Sequence, residues 1–335
     1  MKADMKAMVM TAAGDPAVLQ LRDVPVPQLG NDTDLLIQLK AAGINPIDTK
    51  LRQRGTFYPD QSPAILGCDG AGIVVATGSG ARQFRVGEAV YFCHGGLGGP
   101  VGNYAEYIVV NEQFVSHKPN SLSFEQAAAA PLVLITAWEA LYDRGRLEAG
   151  RDVMIHAGAG GVGHVAIQLA KLTDTTVYTT VSSAEKAEFV AKLGADQIIR
   201  YTDCDWVAET LALTDGEGVD LCFDTVGGPV LSQSFAATKI YGDVVTILAP
   251  DADTQWKTAR DRNLRISYEL MLTPMLKGLV QARRDQAKIL RQCARLIDQE
   301  KLRIQLTHTL PLDKAAEAHR MIEQGSTTGK IVLSI

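Results

Sequence analysis

The stretch that most constrains the fold is HAGAGGVGHVAIQLAKL, which begins at residue 156. A glycine-rich turn here follows a short apolar segment and leads directly into a helical pattern. The residues that match or fill the spacing G-x-G-x-x-G are Gly158, Gly160, Gly161, Val162 and Gly163. Glycine allows the tight turn and lets the backbone approach a pyrophosphate at the first N–H groups of the helix. We therefore predict a dinucleotide-binding turn, the alternative being a tight turn without a ligand.

The residues after the next predicted strand distinguish between the two nicotinamide cofactors. A site for NADH usually carries an acidic residue there, which binds the ribose hydroxyls. This chain instead has Ser182 and Ser183, followed by Lys186. Hydroxyl groups and an ammonium suit the 2′-phosphate of NADPH, which a carboxylate would repel. Alternatively, Ser182 and Glu185 form a helix cap and Lys186 is an ordinary surface lysine; we favour NADPH because a cap does not explain the missing acid.

Length and composition place this turn in a two-domain protein. The chain has 335 residues, which is too long for one ordinary core and about right for two domains. Its hydrophobic fraction of 46% is typical of a globular protein. The apolar runs are too short to span a bilayer and the start has no sustained apolar region, so we expect a cytoplasmic protein without a membrane partner. Five scattered cysteines without a CxxC pair predict free thiols.

The charge pattern gives no reason to expect a nucleic-acid partner. The net charge is -5, which provides no general attraction to DNA or RNA backbones. One basic stretch, QARRDQAKILRQCARL, has helical spacing. We interpret it as a solvated helix face.

The first 120 residues are rich in predicted strands. Short apolar segments are separated there by glycine and proline. The strand candidates are DLLIQLKAAGI, GAGIVVATG, EAVYFC and NYAEYIVV. They predict a compact, barrel-like antiparallel domain. The last segment of the chain, GKIVLSI, could pair with it and would make that domain discontinuous.

Strands and helices alternate in the middle of the chain. Ser123 and Gln126 have capping-box spacing at the start of a helical stretch that Pro131 interrupts. The strand candidates that follow are DVMIHA, TTVYTTV, DQIIRY, VDLCFDTV and DVVTILA, and the helix candidates are GHVAIQLAKL and AEKAEFVAKLG. This alternation predicts a parallel sheet covered by helices.

Taken in order, these motifs resemble those of the medium-chain dehydrogenase/reductase family, on its zinc-independent quinone oxidoreductase branch. The resemblance covers nearly the whole chain and rests on AAGINPIDTKLRQRG, PAILGCDGAGIVVATGSG, FRVGEAVY, ITAWEAL and HAGAGGVGHVAIQLAK. It implies an α/β fold, with a Rossmann doubly wound parallel sheet in residues 131–274. A β-rich, GroES-like barrel domain with the catalytic residues would comprise residues 1–130 and 275–335. The resemblance also implies a homodimer, in which the segment NLRISYEL pairs across a two-fold axis.

The resemblance also shows which metal ligands are missing. Zinc-dependent members carry a cysteine where this chain has NPID, and Gly-His-Glu where it has Gly67, Cys68 and Asp69. A catalytic zinc needs three converging protein ligands, and only Cys68 remains at these two places. Cys93 and His94 are adjacent, so in a strand their side chains point to opposite faces. We therefore predict that the protein has no metal site.

Loss of zinc restricts the expected chemistry. Zinc polarises a carbonyl and stabilises an alkoxide, whereas quinones and α,β-unsaturated carbonyls are electron-poor without that help. They spread the charge of an incoming hydride into a hydroquinone anion or an enolate. We predict an NADPH-dependent reductase of such small molecules. The alternatives are an enoyl-thioester reductase and a cofactor-binding protein with little turnover.

The resemblance places the candidate catalytic residues in the first domain. It implies that Asn45, Asp48 and Arg52 lie at the inner wall of the active-site cleft, with Asn45 close to the nicotinamide. The alternative is that Asn45 only forms a turn with the following proline. Tyr58 matches a tyrosine that donates a proton in related enoyl reductases, although a loop tyrosine can also be a packing group. Relatives often have a tyrosine where this chain has Lys50.

Further cofactor contacts are implied by the same resemblance. Thr136 corresponds to a threonine near the nicotinamide, and Tyr201 to an adenine or phosphate contact. Val226, in the segment DTVGG that follows a predicted strand, is expected to line the nicotinamide pocket with Gly227. Lys330 is a further candidate contact with the cofactor. His156, just before the glycine turn, is expected to pack within its strand.

Overall fold

The computed structural model describes residues 3–325 and 327–335 of the chain. These residues form two compact units. The first contains the described residues up to Leu132 together with those from Leu272 onward, and the second contains Val133–Met271.

The strands range from two to eleven residues in length. In chain order they are β1 Asp4–Met10, β2 Leu19–Pro25, β3 Asp34–Ile44, β4 Ala64–Ile65, β5 Asp69–Thr77, β6 Ala89–Cys93, β7 Tyr107–Asn111, β8 Ser116–His117, β9 Asp152–Ile155, β10 Thr176–Val181, β11 Gln197–Arg200, β12 Val219–Asp224, β13 Thr238–Thr246, β14 Arg265–Tyr268, β15 Leu306–Pro311 and β16 Lys330–Ser334.

The helices are mostly short. They are α1 Pro46–Arg54, α2 Phe124–Ala128, α3 Pro131–Trp138, α4 Gly163–Lys171, α5 Ala184–Ala191, α6 Trp206–Leu213, α7 Pro229–Ala237, α8 Trp256–Asp261, α9 Thr273–Leu276, α10 Val280–Asp298 and α11 Ala315–Gln324. A π-helical turn, Glu139–Arg144, continues α3. Across residues 3–325 and 327–335, no helix has the length and apolar character needed to cross a membrane.

The second unit contains a six-stranded parallel sheet. Its strand order is β11-β10-β9-β12-β13-β14, and every neighbouring pair is parallel. The chain builds outward from β9 to one edge, returns to the centre and then builds to the other edge, which is the doubly wound Rossmann order. Met154, Cys222 and Val244 of this sheet pack with Phe235 of α7 in a buried core. The predicted parallel sheet is therefore confirmed.

The first unit is organised around β3. This strand pairs with β5 along its length, with β7 through its first half and with β16 through its second half, always antiparallel. The resulting sheet has the order β15-β16-β3-β5-β6-β8. Inward-facing Leu35, Ile37 and Leu39 alternate along β3 and form a core with Val74 and Phe92. Because β16 is hydrogen-bonded to β3, the last strand belongs to the sheet formed mostly by the first part of the chain.

The helix signals read from the sequence are confirmed in three places. Ser123 Oγ accepts from the N–H of Gln126 at 3.2 Å, and Gln126 Oε1 accepts from the N–H of Ser123 at 3.0 Å, so the capping box forms. Pro131 is the first residue of α3, so the predicted helical stretch is divided there into α2 and α3. Gly194 follows α5 with a φ of +99°, a conformation that suits a glycine at the end of a helix.

The strand predicted over NYAEYIVV is wrong in its first half, since β7 begins only at Tyr107. The side chain of Asn103 explains the difference. Its Nδ2 donates to the carbonyl of Gly67 at 2.9 Å and to that of His94 at 2.8 Å. The segment before β7 therefore ties two loops together and does not continue the strand.

Helix α10 is attached to the β-rich unit by two buried hydroxyl groups. Tyr91 Oη donates to the carbonyl of Leu290 at 2.5 Å, and Ser116 Oγ donates to that of Ala287 at 2.8 Å. Three basic side chains of this helix are exposed, namely Arg284, Lys288 and Arg295, and of these Arg284 also donates to Gln113 Oε1. Most of the basic stretch is thus a solvated helix face, as predicted.

Candidate active site

The glycine turn of the second unit connects β9 to α4. It is held by backbone hydrogen bonds from Gly158 N to Thr180 O at 3.1 Å and from Gly160 N to Ala157 O at 2.8 Å. Ala157 itself has a φ of +50°, which is unusual for a residue with a side chain. Gly160, Gly161 and Val162 are partly exposed. The turn therefore presents its backbone, and not side chains, at the beginning of α4.

The tight packing of this turn explains its glycines. A Cβ on Gly158 would lie 2.1 Å from Thr179 Oγ1, and a Cβ on Gly163 would lie 2.3 Å from the carbonyl oxygen of Ala157. Both positions are closed to any larger residue unless the turn moves. A Cβ on Gly160 would have Ala157 O as its nearest neighbour at 3.1 Å. Gly160 therefore borders open space, where a ligand could approach the backbone.

A cation and a hydroxyl lie together after the next strand, β10. Lys186 Nζ donates to Ser182 Oγ at 3.3 Å, and both residues are partly exposed. Ser183 caps α5 by accepting from the backbone N–H of Lys186 at 3.2 Å. The sequence had suggested Ser182 as the alternative cap, and the structure gives that role to its neighbour. The hydroxyl of Ser182 and the ammonium of Lys186 consequently remain available for a ligand.

A cavity of about 460 Å³ lies in the second unit. Its lining comprises His156, Ala157, Thr180, Tyr201, Cys204, Asp205, Trp206, Val226, Val230 and Gln233. The lining residues follow the carboxyl ends of β9, β10, β11 and β12, where open α/β sheets bind their ligands. Two of the predicted cofactor residues, Tyr201 and Val226, thus border one cavity, and each is about half exposed.

Asp224 organises the loop that carries Val226, a role that the sequence analysis did not recognise. Its Oδ1 accepts from the N–H groups of Val226 at 2.9 Å and Gly227 at 2.8 Å. Its Oδ2 accepts from Thr246 Oγ1 at 2.9 Å. Gly227 has a φ of +76°, which glycine adopts without strain. An aspartate at the end of a strand, shortly before two glycines, is the signal that could have identified this turn.

His156 is a packed residue, as predicted. It is 1% exposed, with Nδ1 at 3.0 Å from Thr180 Oγ1 and Nε2 at 3.2 Å from Ser234 Oγ. Its ring also lies edge-on to Trp206. Burial lowers the pKa of His156 to about 4, so the ring is neutral at physiological pH. Thr136, the predicted nicotinamide contact, is buried on α3.

The β-rich unit brings together three predicted residues, Asn45, Asp48 and Lys330. Asn45 precedes α1, and its Nδ2 donates to Asp69 Oδ2 at 2.9 Å. Its Oδ1 accepts a short hydrogen bond from Lys330 Nζ, which also donates to the carbonyl of Ile44 at 2.9 Å. The backbone N–H of Asn45 donates to Asp48 Oδ2 at 2.8 Å. Asn45, Asp48, Asp69 and Lys330 are all nearly or fully buried.

Burial controls the charge state of this cluster. It raises the pKa of Asp48 to about 7, against the hydrogen bond from the Asn45 backbone that favours the carboxylate. It also raises the pKa of Asp69 to about 6, against the nearby Lys330. Burial lowers the pKa of Lys330, whereas the two carboxyl groups oppose that shift. The cluster therefore places one ammonium beside two acids whose pKa values are raised toward physiological pH.

Asp48 also contacts buried polar groups other than Asn45. Tyr104 Oη donates to Asp48 Oδ2 at 3.2 Å and lies 3.2 Å from His319 Nε2. The second carboxyl oxygen of Asp48 has no partner among the described residues. Asp48 therefore fixes the start of α1, because it accepts from the backbone N–H of Asn45.

Arg52 does not fit the position at the cleft wall that the resemblance implies. It is 1% exposed, and it donates to the carbonyl of Gly14 at 2.5 Å and to Glu323 of α11. Its charge is therefore compensated within the unit, and we assign it a structural role. Lys50, on the same helix, is exposed.

Tyr58 follows α1 in a loop and does not join the Asn45 cluster by any hydrogen bond. It is partly exposed, and its ring packs against Gly99, where a Cβ would lie 3.1 Å away. Its backbone N–H donates to Thr56 Oγ1 at 3.3 Å. Within residues 3–325 and 327–335, no residue hydrogen-bonds to its hydroxyl group. The phenol is therefore held by its ring and has a free O–H.

The two thiols near Asp69 are protonated; Cys68 is buried and Cys93 is half-buried. Burial raises the pKa values of Cys68 and Cys93 well above their usual range. In the part of the chain that the structure describes, no group of three or more His, Cys, Asp or Glu residues could hold a metal ion.

Two family models match the chain. Residues 31–120 match the alcohol dehydrogenase GroES-like domain, and residues 193–333 match a family described as zinc-binding dehydrogenase. The second description names zinc, which the sequence analysis does not predict for this chain.

Full-length relatives define the family more closely. The chain is 32% identical to a quinone oxidoreductase of Pseudomonas aeruginosa, over 98% of this chain and 99% of the relative. It is 37% identical to the chloroplastic NADPH-dependent alkenal/one oxidoreductase of Arabidopsis thaliana, over 73% of this chain and 62% of the relative. A crystal structure of an alcohol dehydrogenase superfamily protein from Novosphingobium aromaticivorans superposes with a TM-score of 0.90, at 34% identity and 99% coverage of both chains.

The chain therefore belongs to the medium-chain dehydrogenase/reductase family. Within that family it is quinone oxidoreductase-like. The resemblance inferred from the sequence and the α/β fold with a GroES-like domain are both confirmed. Family membership supports a nicotinamide dinucleotide, NADH or NADPH, as the cofactor.

The glycine turn provides a matched pair of substitutions. Gly163→Ala should lower the stability of the ligand-free protein by roughly 1–3 kcal/mol, because its Cβ overlaps the Ala157 carbonyl. Gly160→Ala should change stability by less than about 1 kcal/mol but weaken dinucleotide binding by at least about 10-fold, because its Cβ would enter the space left for the pyrophosphate. Chemical denaturation and fluorescence titration measure the two effects. The opposite order, with Gly160→Ala the less stable variant and full binding retained, would contradict this account of the turn.

Proposed function

We propose that this protein is an NADPH-dependent oxidoreductase that transfers a hydride to quinones or α,β-unsaturated carbonyls without a catalytic metal. The observation that carries the proposal is its similarity, along nearly its whole length, to a quinone oxidoreductase. The similarity to an NADPH-dependent alkenal/one oxidoreductase supports enones as a second class of acceptor. Hydride transfer from NADPH to either acceptor leaves an anion, which takes up one proton to give the hydroquinone or the saturated carbonyl.

The preference for NADPH is supported by the end of β10. Lys186 and Ser182 supply an ammonium and a hydroxyl about 3.3 Å apart. The cap of α5 is made by Ser183, so the hydroxyl of Ser182 is not needed for it. An ammonium attracts the 2′-phosphate that distinguishes NADPH from NADH. We assign cofactor binding to the parallel-sheet unit, with the glycine turn at the pyrophosphate and Tyr201, Val226 and Thr136 as further contacts. The β-rich unit would then supply the groups that bind the acceptor.

Metal independence is supported by the chemistry of the Asn45 cluster. Asp69 already accepts from Leu132 N and Asn45 Nδ2, both at 2.9 Å. The buried ammonium of Lys330 lies against Asn45 and would repel a second cation. The residues present therefore do not fit a zinc ion. No step of the proposed reaction uses one.

Two side chains are proposed to act on the acceptor. Asn45 would donate an N–H to the carbonyl oxygen, where negative charge develops as the hydride arrives. Tyr58 would donate its phenolic proton to the enolate carbon or oxygen, since its hydroxyl makes no hydrogen bond to a described residue. Asp48 would position Asn45 through the backbone N–H at 2.8 Å.

We also propose that the protein forms a homodimer through β14. This strand lies at the edge of the six-stranded sheet, so one side of it can accept a further strand. Tyr268, the last residue of this strand, and Leu270, two positions after it, are 50% and 53% exposed. These are large apolar groups that an interface would cover.

The proposed function predicts the outcome of a small acceptor panel. The purified protein should oxidise NADPH with a benzoquinone, a naphthoquinone and a simple enone, and faster than with an enoyl thioester. Absorbance at the nicotinamide band measures the rates. Activity should persist after exhaustive dialysis against a chelator. If none of the four acceptors is reduced, the protein is better explained as a cofactor-binding protein. Activity that is lost to the chelator and restored only by zinc would contradict metal independence.

Lys186→Ala tests the cofactor preference. One charge-assisted contact is worth roughly 1.5–3 kcal/mol, so NADPH should bind roughly 10- to 150-fold more weakly while NADH binding barely changes. Calorimetric titration of both cofactors provides the measurement. Lys192→Ala is the matched control, because Lys192 is exposed at the other end of α5. Equal losses for both cofactors would remove Lys186 from the phosphate site.

Tyr58→Phe tests proton donation. Turnover of the enone should fall by about 10²-fold, the lower end of the range for a general acid. Turnover of the naphthoquinone should change little, because the hydroquinone monoanion left by hydride transfer carries its charge on oxygen and can take its one proton from the solvent. Tyr241→Phe is the control, since Tyr241 is 76% exposed in the parallel-sheet unit. Unchanged enone turnover would exclude Tyr58 from the mechanism.

A further inference from the structure

We propose that Lys330 is a positioning residue that fixes the side-chain amide of Asn45, so that one N–H of Asn45 is kept for the oxygen of the acceptor. This inference rests on the proposed function, because it deepens the role given there to Asn45. It assigns to Lys330 a role different from the cofactor contact that the sequence resemblance suggested.

The first observation is that Asn45 is the N-cap of α1, in a capping box with Asp48, and that its side-chain amide also has partners outside the helix. Asparagine is among the best N-cap residues because its side-chain oxygen can accept from the first turn. Here the backbone of Asn45 is extended, with φ of −129° and ψ of 154°, as in a capping residue. Its side-chain amide is nevertheless directed to Asp69 and Lys330. The structure thus uses this asparagine for contacts beyond helix capping.

The second observation is that the two partners of the amide define its orientation. Lys330 has only donors, so it must face the amide oxygen of Asn45. The Asp69 carboxylate has only acceptors, so it must face the amide nitrogen. Rotating the amide by 180° would place donor against donor and acceptor against acceptor. The lysine and the aspartate therefore permit a single orientation.

The third observation concerns the hydrogen that is left over. Asn45 Nδ2 carries two hydrogens, and one of them is donated to Asp69. In the described part of the chain the other has no acceptor, although Asn45 is only 1% exposed. Leaving a buried donor unpaired costs roughly 1–3 kcal/mol, and such groups in native proteins call for an explanation. A ligand oxygen that accepts this hydrogen provides one.

Lys330 also strengthens the donor that it orients. A hydrogen bond from an ammonium to Oδ1 draws electron density toward the amide oxygen, which makes the Nδ2 hydrogens more positive. A fixed and polarised N–H aimed at a developing oxyanion is the arrangement that stabilises such transition states. Lys330 achieves this without touching the acceptor, because its ammonium contacts Asn45 and the Ile44 carbonyl.

Kinetics of a double-substitution cycle test the inference. Lys330→Met should lower kcat for the enone and the quinone by about 10- to 100-fold, somewhat below the effect of deleting an oriented donor, with KM for NADPH within about 2-fold of the original. Asn45→Ala should lower kcat at least as much. The double variant should be no slower than Asn45→Ala, because Lys330 acts only through Asn45. Lys314→Met, at an exposed lysine, should leave activity unchanged.

Two kinetic results would overturn the inference. Fully additive losses in the double variant would show that Lys330 acts independently of Asn45. A large rise in KM for NADPH with kcat retained would make Lys330 a cofactor contact. If Lys330→Met does not fold, Lys330→Gln replaces it in the cycle. Its amide N–H can still donate to Asn45, so it should retain a kcat between those of the wild type and Asn45→Ala, and a kcat no higher than that of Asn45→Ala would overturn the inference.

An NMR measurement tests the same contact without turnover. The side-chain amide signals of Asn45, assigned through their loss in Asn45→Ala, should shift or broaden in Lys330→Gln or Lys330→Met and stay unchanged in Lys314→Met. Unchanged signals in the Lys330 variants would overturn the inference. If the wild type reduces no acceptor of the panel, the proposed function is wrong, and the amide signals still decide whether Lys330 orients Asn45.

Discussion

A buried ammonium holds the polar centre of the β-rich unit together. Lys330 is the first residue of the last strand, and its hydrogen-bond partner Asn45 lies 285 positions earlier in the chain. Asn45 in turn contacts Asp69, the first residue of β5. Three elements therefore begin at one buried point. Since a buried charge is costly unless it is paired, the cluster is complete only when β16 has joined β3.

Much of the fold could be predicted because its signals are local. The bounds of β3, Asp34–Ile44, coincide with the apolar segment read from the sequence. The capping box at Ser123 and the glycine turn before α4 depend on residues within a few positions of each other, so their spacing is visible in the sequence. The order of the parallel strands follows from the alternation of strands and helices and from the handedness of their connections.

The parts that escaped prediction depend on contacts between distant residues. The resemblance singled out Asn45 and Lys330, but no local pattern could reveal that they touch. Asn103 belongs to a segment with strand-like composition, yet its amide binds the loop carbonyls of Gly67 and His94, which are 36 and 9 positions away in sequence. Arg52 lies beside candidate catalytic residues on α1, and only the packing of α11 shows that Glu323 compensates its charge. The sequence thus indicates which residues are candidates for a site, but it does not reveal which distant residues they contact.

The attachment of α10 has a consequence for how this protein can vary. The hydroxyls of Tyr91 and Ser116 bind main-chain carbonyls of the helix, and those carbonyls are present whatever side chains the helix carries. The exposed side chain of Lys288 takes no part in these two bonds. Such a basic residue can be replaced by a neutral or acidic one while the two bonds that attach the helix remain. The charge of this surface can therefore evolve separately from the interior.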